Sequence, residues 1–261
     1  MRGDETIVTA LGPDEWQNAF ESACRYALCS LPWTINRMDY RGENQYAMRV
    51  ENIITGKLAE AVTRTFLIKK GLTVVPGAGQ TPYWLADHYD LKIHTANGPE
   101  EWDVKTLHLR HLEETTPPDW EQAPALIPDR HRHDQWCRRL LCHDGDSRVR
   151  RYLFAFVLQK PVHVTWPAAA TEAFRELMAG RERLERQDDF ILRMLHDVQC
   201  RLRAPVWRLY LTAVAGPDEW QYFRPVPRET VFLQGALRTR IQNRGCLTRV
   251  LPSLSHVLDQ L

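Results

Sequence analysis

Residues Asp90 to Lys105 read DLKIHTANGPEEWDVK, two runs of strand character separated by Asn97, Gly98 and Pro99. Asn-Gly-Pro is turn chemistry, so the second run folds back beside the first as a hairpin. Side chains alternate across a strand. Glu101, Asp103 and Lys105 therefore project to one face and Trp102 and Val104 to the other, while Asp90, at the start of the first run, falls near Asp103. Two carboxylates and an ammonium on one surface suit phosphodiester hydrolysis. The attacked phosphate is anionic and gains charge in the transition state; a hard cation on oxygen ligands offsets that charge and acidifies a bound water, which a neighbouring lysine can orient.

The segment before the hairpin narrows the fold. Asn44 to Lys70 carries Ile54, Leu58, Ala61, Val62 and Phe66 as an apolar stripe at helical spacing, and Gly71 ends it. Leu72 to Val75 then reads as a buried strand. Glu60 lies on the helix and, taken alone, reads as an ordinary solvated glutamate. Helix, strand, acid-bearing strand and acid-x-lysine strand, in that order, resemble the PD-(D/E)XK nuclease superfamily, the restriction-endonuclease-like fold. Asp90 matches the first acid, Asp103, Val104 and Lys105 match the (D/E)XK tripeptide, and Gly56 to Glu60 (GKLAE) match the helix signature. Tyr89 stands where the motif's proline would be. The resemblance spans about residues 44 to 160.

That resemblance implies a DNA endonuclease that requires Mg²⁺, with Mn²⁺ able to substitute. Asp90, Asp103 and the carbonyl of Val104 would bind the metal, Lys105 would position the attacking water, and Glu60 would assist from the helix. Glu101, on the same face, is an additional candidate ligand. Roles in restriction, phage defence, mobile-element movement or junction processing follow from the family, as does a homodimer or a partner protein. Two alternatives stay open: a nucleic-acid-binding or assembly subunit that has kept the fold without catalysis, and a nuclease directed at RNA.

The expected fold class is α/β, a central mixed sheet flanked by helices, with helical N-terminal and C-terminal additions in one domain of 261 residues. The core covers about residues 44 to 160 plus a strand at 206 to 214, and residues 1 to 43 form the N-terminal helical addition. Gly12 to Leu31 reads as an amphipathic helix presenting Trp16, Phe20, Ala23 and Ala27. Glu113 to Pro128 reads as a loop, Arg148 to Leu158 as a buried strand, and Glu172 to Leu202 as one or two helices. GPDEWQ occurs at Gly12 and again at Gly216, each a helix start with proline in the first turn. The related GPEEWD at Gly98 competes with the strand reading of Asp103; Trp102, Val104 and Thr106 favour the strand.

Net charge is +1, so bulk electrostatics do not announce a nucleic-acid partner, and any contact must come from local patches. Arg238, Arg240, Arg244 and Arg249 form one such patch without a nearby acid; Arg130 to Arg151, including Arg138 and Arg139, forms another. His131, His133, Cys137, Cys142 and His143 carry zinc-type ligands at a spacing that matches no common finger. The six cysteines are scattered, which fits reduced thiols. With no apolar run long enough to span a bilayer and acids in the first residues, a cytoplasmic location is expected.

Overall fold

The structure is a computed structural model that describes residues 1–35, 45–85, 87–109, 118–130, 134–157, 174–175, 178–179, 195 and 208–261. Its frame is a six-stranded mixed sheet. Strands β1 (Ile7–Thr9), β2 (Thr73–Val74), β3 (Leu91–Thr95), β4 (Gly98–His108), β6 (Val149–Val157) and β7 (Leu209–Ala215) lie in the order β1-β7-β6-β4-β3-β2. The meander β2-β3-β4 is antiparallel, β6 runs parallel to β4, and β7 returns antiparallel to β6.

Helices α1 (Pro13–Thr34) and α2 (Gln45–Lys69) pack together on one face. Trp16, Phe20, Ala27, Ile54, Leu58 and Val62 meet Trp102, Val104, Leu153 and Leu211 there in the main core. Burial of such apolar surface contributes roughly 25 cal/mol per Å² and fixes which way each helix turns. Gly71 ends α2 at φ +87°, where the Leu72 amide donates to the Leu67 carbonyl. The N-terminal segment is an integral part of the sheet, because β1 pairs with β7 and extends it.

The opposite face is covered by strand structure. β5 (Pro124–Pro128), β8 (Arg224–Val226) and β11 (Asn243–Leu247) form a second sheet in the order β5-β11-β8. Ala125, Ile127 and Phe223 pack on Tyr152, Phe154, Ala213 and Ala215. A small ladder of β9 (Val231–Phe232) and β10 (Leu237–Arg238) projects beside it. This corrects two expectations. The end of the Glu113 to Pro128 loop is a buried strand, and the C-terminal addition is mainly β, with helix confined to short 3₁₀ turns and Leu254–Leu258. Each of these strands has only a few residues, and β5 finds its partner β11 more than a hundred positions away, beyond the reach of local periodicity. The helices expected within 172 to 202 lie almost wholly outside the described residues.

Candidate active site

The sheet forks at Asp90. β3 begins at Leu91 opposite Trp102, whereas β4 continues to His108 paired only with β6. The Asp90 amide donates to the Trp102 carbonyl at 3.0 Å, and then its side chain replaces the missing strand: the Val104 amide donates to Asp90 Oδ2 at 2.7 Å. Beyond that bond the chain diverges and a cavity of about 910 Å³ opens. Asp90, Asp103, Val104 and Lys105 line it from the sheet, and Lys57 and Glu60 line it from α2. Four side chains proposed for catalysis from the sequence are thus brought to one cavity by three separate elements.

Their electrostatics follow from burial and proximity. Burial, then the Asp90 carboxylate, pushes the Glu60 carboxyl up to about 8. Burial and Asp103 likewise raise Asp90 above the usual range. Burial opposes a charge on Lys57, but Glu60, Asp90 and Asp87 outweigh it and hold the ammonium protonated well above the ordinary lysine range. Lys57 Nζ donates to Glu60 Oε2 at 2.8 Å and to Asp87 Oδ2 at 2.7 Å, and lies 4.5 Å from the centre of the Tyr26 ring. Burial would raise Asp87, yet Lys57 and the Thr81 amide bring it below the usual range, so Asp87 is the lasting counter-charge of Lys57. Neither Lys57 nor Asp87 was singled out as a site residue from sequence. The GKLAE signature held the first, but no local pattern links it to a residue thirty positions away.

Asp103 is held from below by Arg150 on β6. Arg150 Nε donates to Asp103 Oδ2 at 2.9 Å and Nη2 donates to the same oxygen, while Lys105 Nζ donates to Oδ1 at 3.3 Å. Lys105 also lies 4.9 Å from the centre of the Tyr152 ring. Arg150 is only 4% exposed and further donates to the carbonyls of His88 and Leu141. From sequence it belonged to a basic surface cluster; in the fold it is a buried organiser of the candidate site. Its neighbour Arg151 pairs with Glu100.

Glu101 shares the face of Asp103, but its carboxylate is taken up elsewhere. It is fully buried, and the amides of His143 and Asp144 donate to Oε1 at 2.7 and 2.9 Å. It does not line the cavity. Glu101 therefore anchors the 143–144 loop beneath β4, a contact between distant segments that alternation alone does not reveal.

The far wall is contributed by the second sheet and its ladder. Arg138, Arg238 and Arg240 line the cavity opposite α2. Acids are nearer than the sequence suggested: Arg238 pairs with Glu229 at 3.4 Å and Arg244 with Asp129 at 2.8 Å. Arg139 lies over the Trp136 ring at 3.7 Å, and Arg249 is exposed away from the cavity. His131 and His133 lie outside the described residues. Among the described residues, the cysteines are free and no three His, Cys, Asp or Glu side chains are gathered as a metal cage.

A preformed cage is not what Mg²⁺ requires, since that ion keeps several waters and takes one or two carboxylates together with substrate phosphate. The donor set fits it: the hard carboxyl oxygens of Glu60, Asp90 and Asp103 line one cavity, and a cation there would relieve the burial and the carboxylate repulsion that raise Glu60 and Asp90. Thr106 Oγ1 and Gln135 Oε1, on residues that line the cavity, are buried without a hydrogen-bond partner. Among the described residues, no helix is long and apolar enough to cross a membrane. Comparison of the chain with protein-family models, with curated proteins and with solved structures finds no match.

Proposed function

We propose that this chain is a Mg²⁺-dependent DNA endonuclease of PD-(D/E)XK type. The observation that carries the reading is the convergence of Glu60, Asp90, Asp103 and Lys105 on one cavity at the fork between β3 and β4. The order of elements supports it as well: a helix, an antiparallel meander bearing the acids, then a parallel strand beside the acid-x-lysine strand.

Asp90, Asp103 and the Val104 carbonyl would hold Mg²⁺, with Glu60 nearby. When bound, the ion supplies counter-charge to the phosphate and acidifies a water. Lys105 would orient the attacking water and offset charge developing on the phosphate oxygens. Arg150 fixes the Asp103 rotamer, and Lys57 fixes that of Glu60, so both carboxylates are set before substrate arrives. Arg138, Arg238 and Arg240 offer forked donors to the flanking phosphates.

The reading of a non-catalytic binding subunit has one observation in its favour, the ion pair of Asp103 with Arg150, which satisfies a carboxylate that a metal would otherwise neutralise. One experiment separates the readings. Supercoiled plasmid, linear duplex, single-stranded DNA and RNA are incubated with Mg²⁺ or EDTA. Cleavage that needs the metal and disappears in Asp103→Asn supports the nuclease; binding without cleavage by the native protein supports the subunit; cleavage confined to RNA reassigns the substrate.

A further inference from the structure

We infer that the cavity accepts one unpaired DNA strand and that Trp84, on the loop tied to the Tyr26 and Asp87 wall, stacks on a base of that strand; this deepens the nuclease reading and rests on it. The cavity has opposing walls. Arg49 and Gly56 of the α2 side face a space also lined by Arg238 and Arg240, with the sheet between them. Its volume of about 910 Å³ lies in the range of small-ligand pockets, roughly 300–1,000 Å³. A few nucleotides of one strand fit such a space; an intact duplex would have to bring its second strand and both grooves with it.

The loop joined to the Asp87 wall carries a second, independent feature. Tyr83, Trp84 and Leu85 are consecutive and exposed, at 37%, 45% and 51%. Scattered exposed apolar residues need no explanation, but three in a row tied to a site do. The tie is Asp87, whose Oδ1 accepts from the Thr81 amide at 3.2 Å and the Thr81 hydroxyl at 3.1 Å, closing the loop. Its Oδ2 accepts from Lys57 and from the Tyr26 hydroxyl, both in the cavity wall. Tyr83 packs edge-on against Tyr26 with ring centres 5.6 Å apart.

The loop is therefore pinned to the site while Trp84 is presented to solvent. An exposed indole on a loop anchored at Thr81, Tyr83 and Asp87 is a stacking platform, and the arginines that line the cavity supply the backbone contacts that single-strand sites combine with stacking. Bases inside a duplex already stack on one another and are out of reach. Only an unpaired base gives Trp84 a partner.

The test measures affinity by fluorescence anisotropy in EDTA, so that it needs no turnover. The probe is a labelled oligonucleotide, alone or annealed to its complement. The native protein should bind the single strand more tightly than the duplex. Trp84→Ala should weaken single-strand binding about tenfold and leave duplex binding unchanged, and Trp84→Phe should keep most of the affinity. Circular dichroism melts check that the variants fold. Equal or tighter duplex binding overturns the inference, as does native single-strand affinity in Trp84→Ala. So does a Trp84 effect confined to self-association in sedimentation, which would make the loop a protein interface. Cleavage is scored separately: Asp103-dependent cutting of duplex alone keeps the nuclease and removes the strand site, whereas Trp84-dependent strand binding without cutting of any nucleic acid does the reverse.

Discussion

The two walls of the cavity hold their charges in different ways. On the sheet and α2 side, Lys57 with Asp87 and Arg150 with Asp103 form two sheltered pairs, with Arg150 satisfied by carboxylates and carbonyls together. On the side of the second sheet, Arg238 and Glu229 are more than half exposed and meet at 3.4 Å. A buried pair resists change because removing either partner strands the other's charge, while an exposed pair gains little and exchanges readily with another anion. The first wall is built to fix geometry. The second is loose enough to exchange its partner for another anion.

The largest expected effect is at Arg150. Arg150→Met should cost about 3–5 kcal/mol, because Asp103 and Glu101 lose their buried partner. Urea denaturation measures it, and a loss below about 1 kcal/mol would mean that this wall is no more rigid than the other. Next comes Lys105→Ala, which should slow cleavage by about 10²–10³-fold if it stabilises charge in the transition state. Native single-turnover rates in that variant would remove Lys105 from the chemistry.

The protonation of Glu60 gives a pH signature. A carboxyl whose folded value is raised to about 8 stays protonated in the folded protein while the unfolded chain has already released its proton. Folded protein then binds more protons than unfolded, so stability falls as pH rises from the ordinary glutamate range toward 8. Each unit of difference is worth about 1.4 kcal/mol. In EDTA, Glu60→Gln should therefore gain stability relative to the native protein between pH 5 and pH 8, and parallel denaturation curves at both ends would show that the carboxyl ionises freely.

On the other wall, Arg238→Ala with Arg240→Ala should leave the melting temperature nearly unchanged. DNA affinity should drop by a similar factor for all sequences, and the salt dependence should flatten by roughly one unit per lost contact. A large loss of stability would contradict the exchangeable character of this wall. The smallest effect belongs to Glu229→Gln, which releases Arg238 from its acid: stability should move by less than about 0.5 kcal/mol and DNA affinity should rise slightly. Titration across a range of salt tests both.

The three related hexapeptides show how far local sequence reaches. At Gly12 and Gly216, GPDEWQ starts a helical turn, and the glutamate three residues on accepts from the glycine's own amide at 3.1 and 2.7 Å. At Gly98, GPEEWD enters β4 with φ +113°, and Glu101 accepts instead from the amides of His143 and Asp144. The local chemistry is nearly the same. Pairing with β3 on one side and β6 on the other selects the strand.

By itself the sequence determined α1, α2, the β3-β4 hairpin and the buried strands β6 and β7, because period and turn chemistry are local. It also determined that Asp90 falls near Asp103, since a short turn leaves little freedom of register. Only the tertiary structure decided that Arg150 lies under Asp103, that Asp87 pairs with Lys57, that Glu101 is spent on a loop, and that a second sheet walls the cavity. Those contacts join residues tens to more than a hundred positions apart. What selects them is the requirement that every buried charge and amide find a partner, a condition met across the whole fold rather than along any one segment.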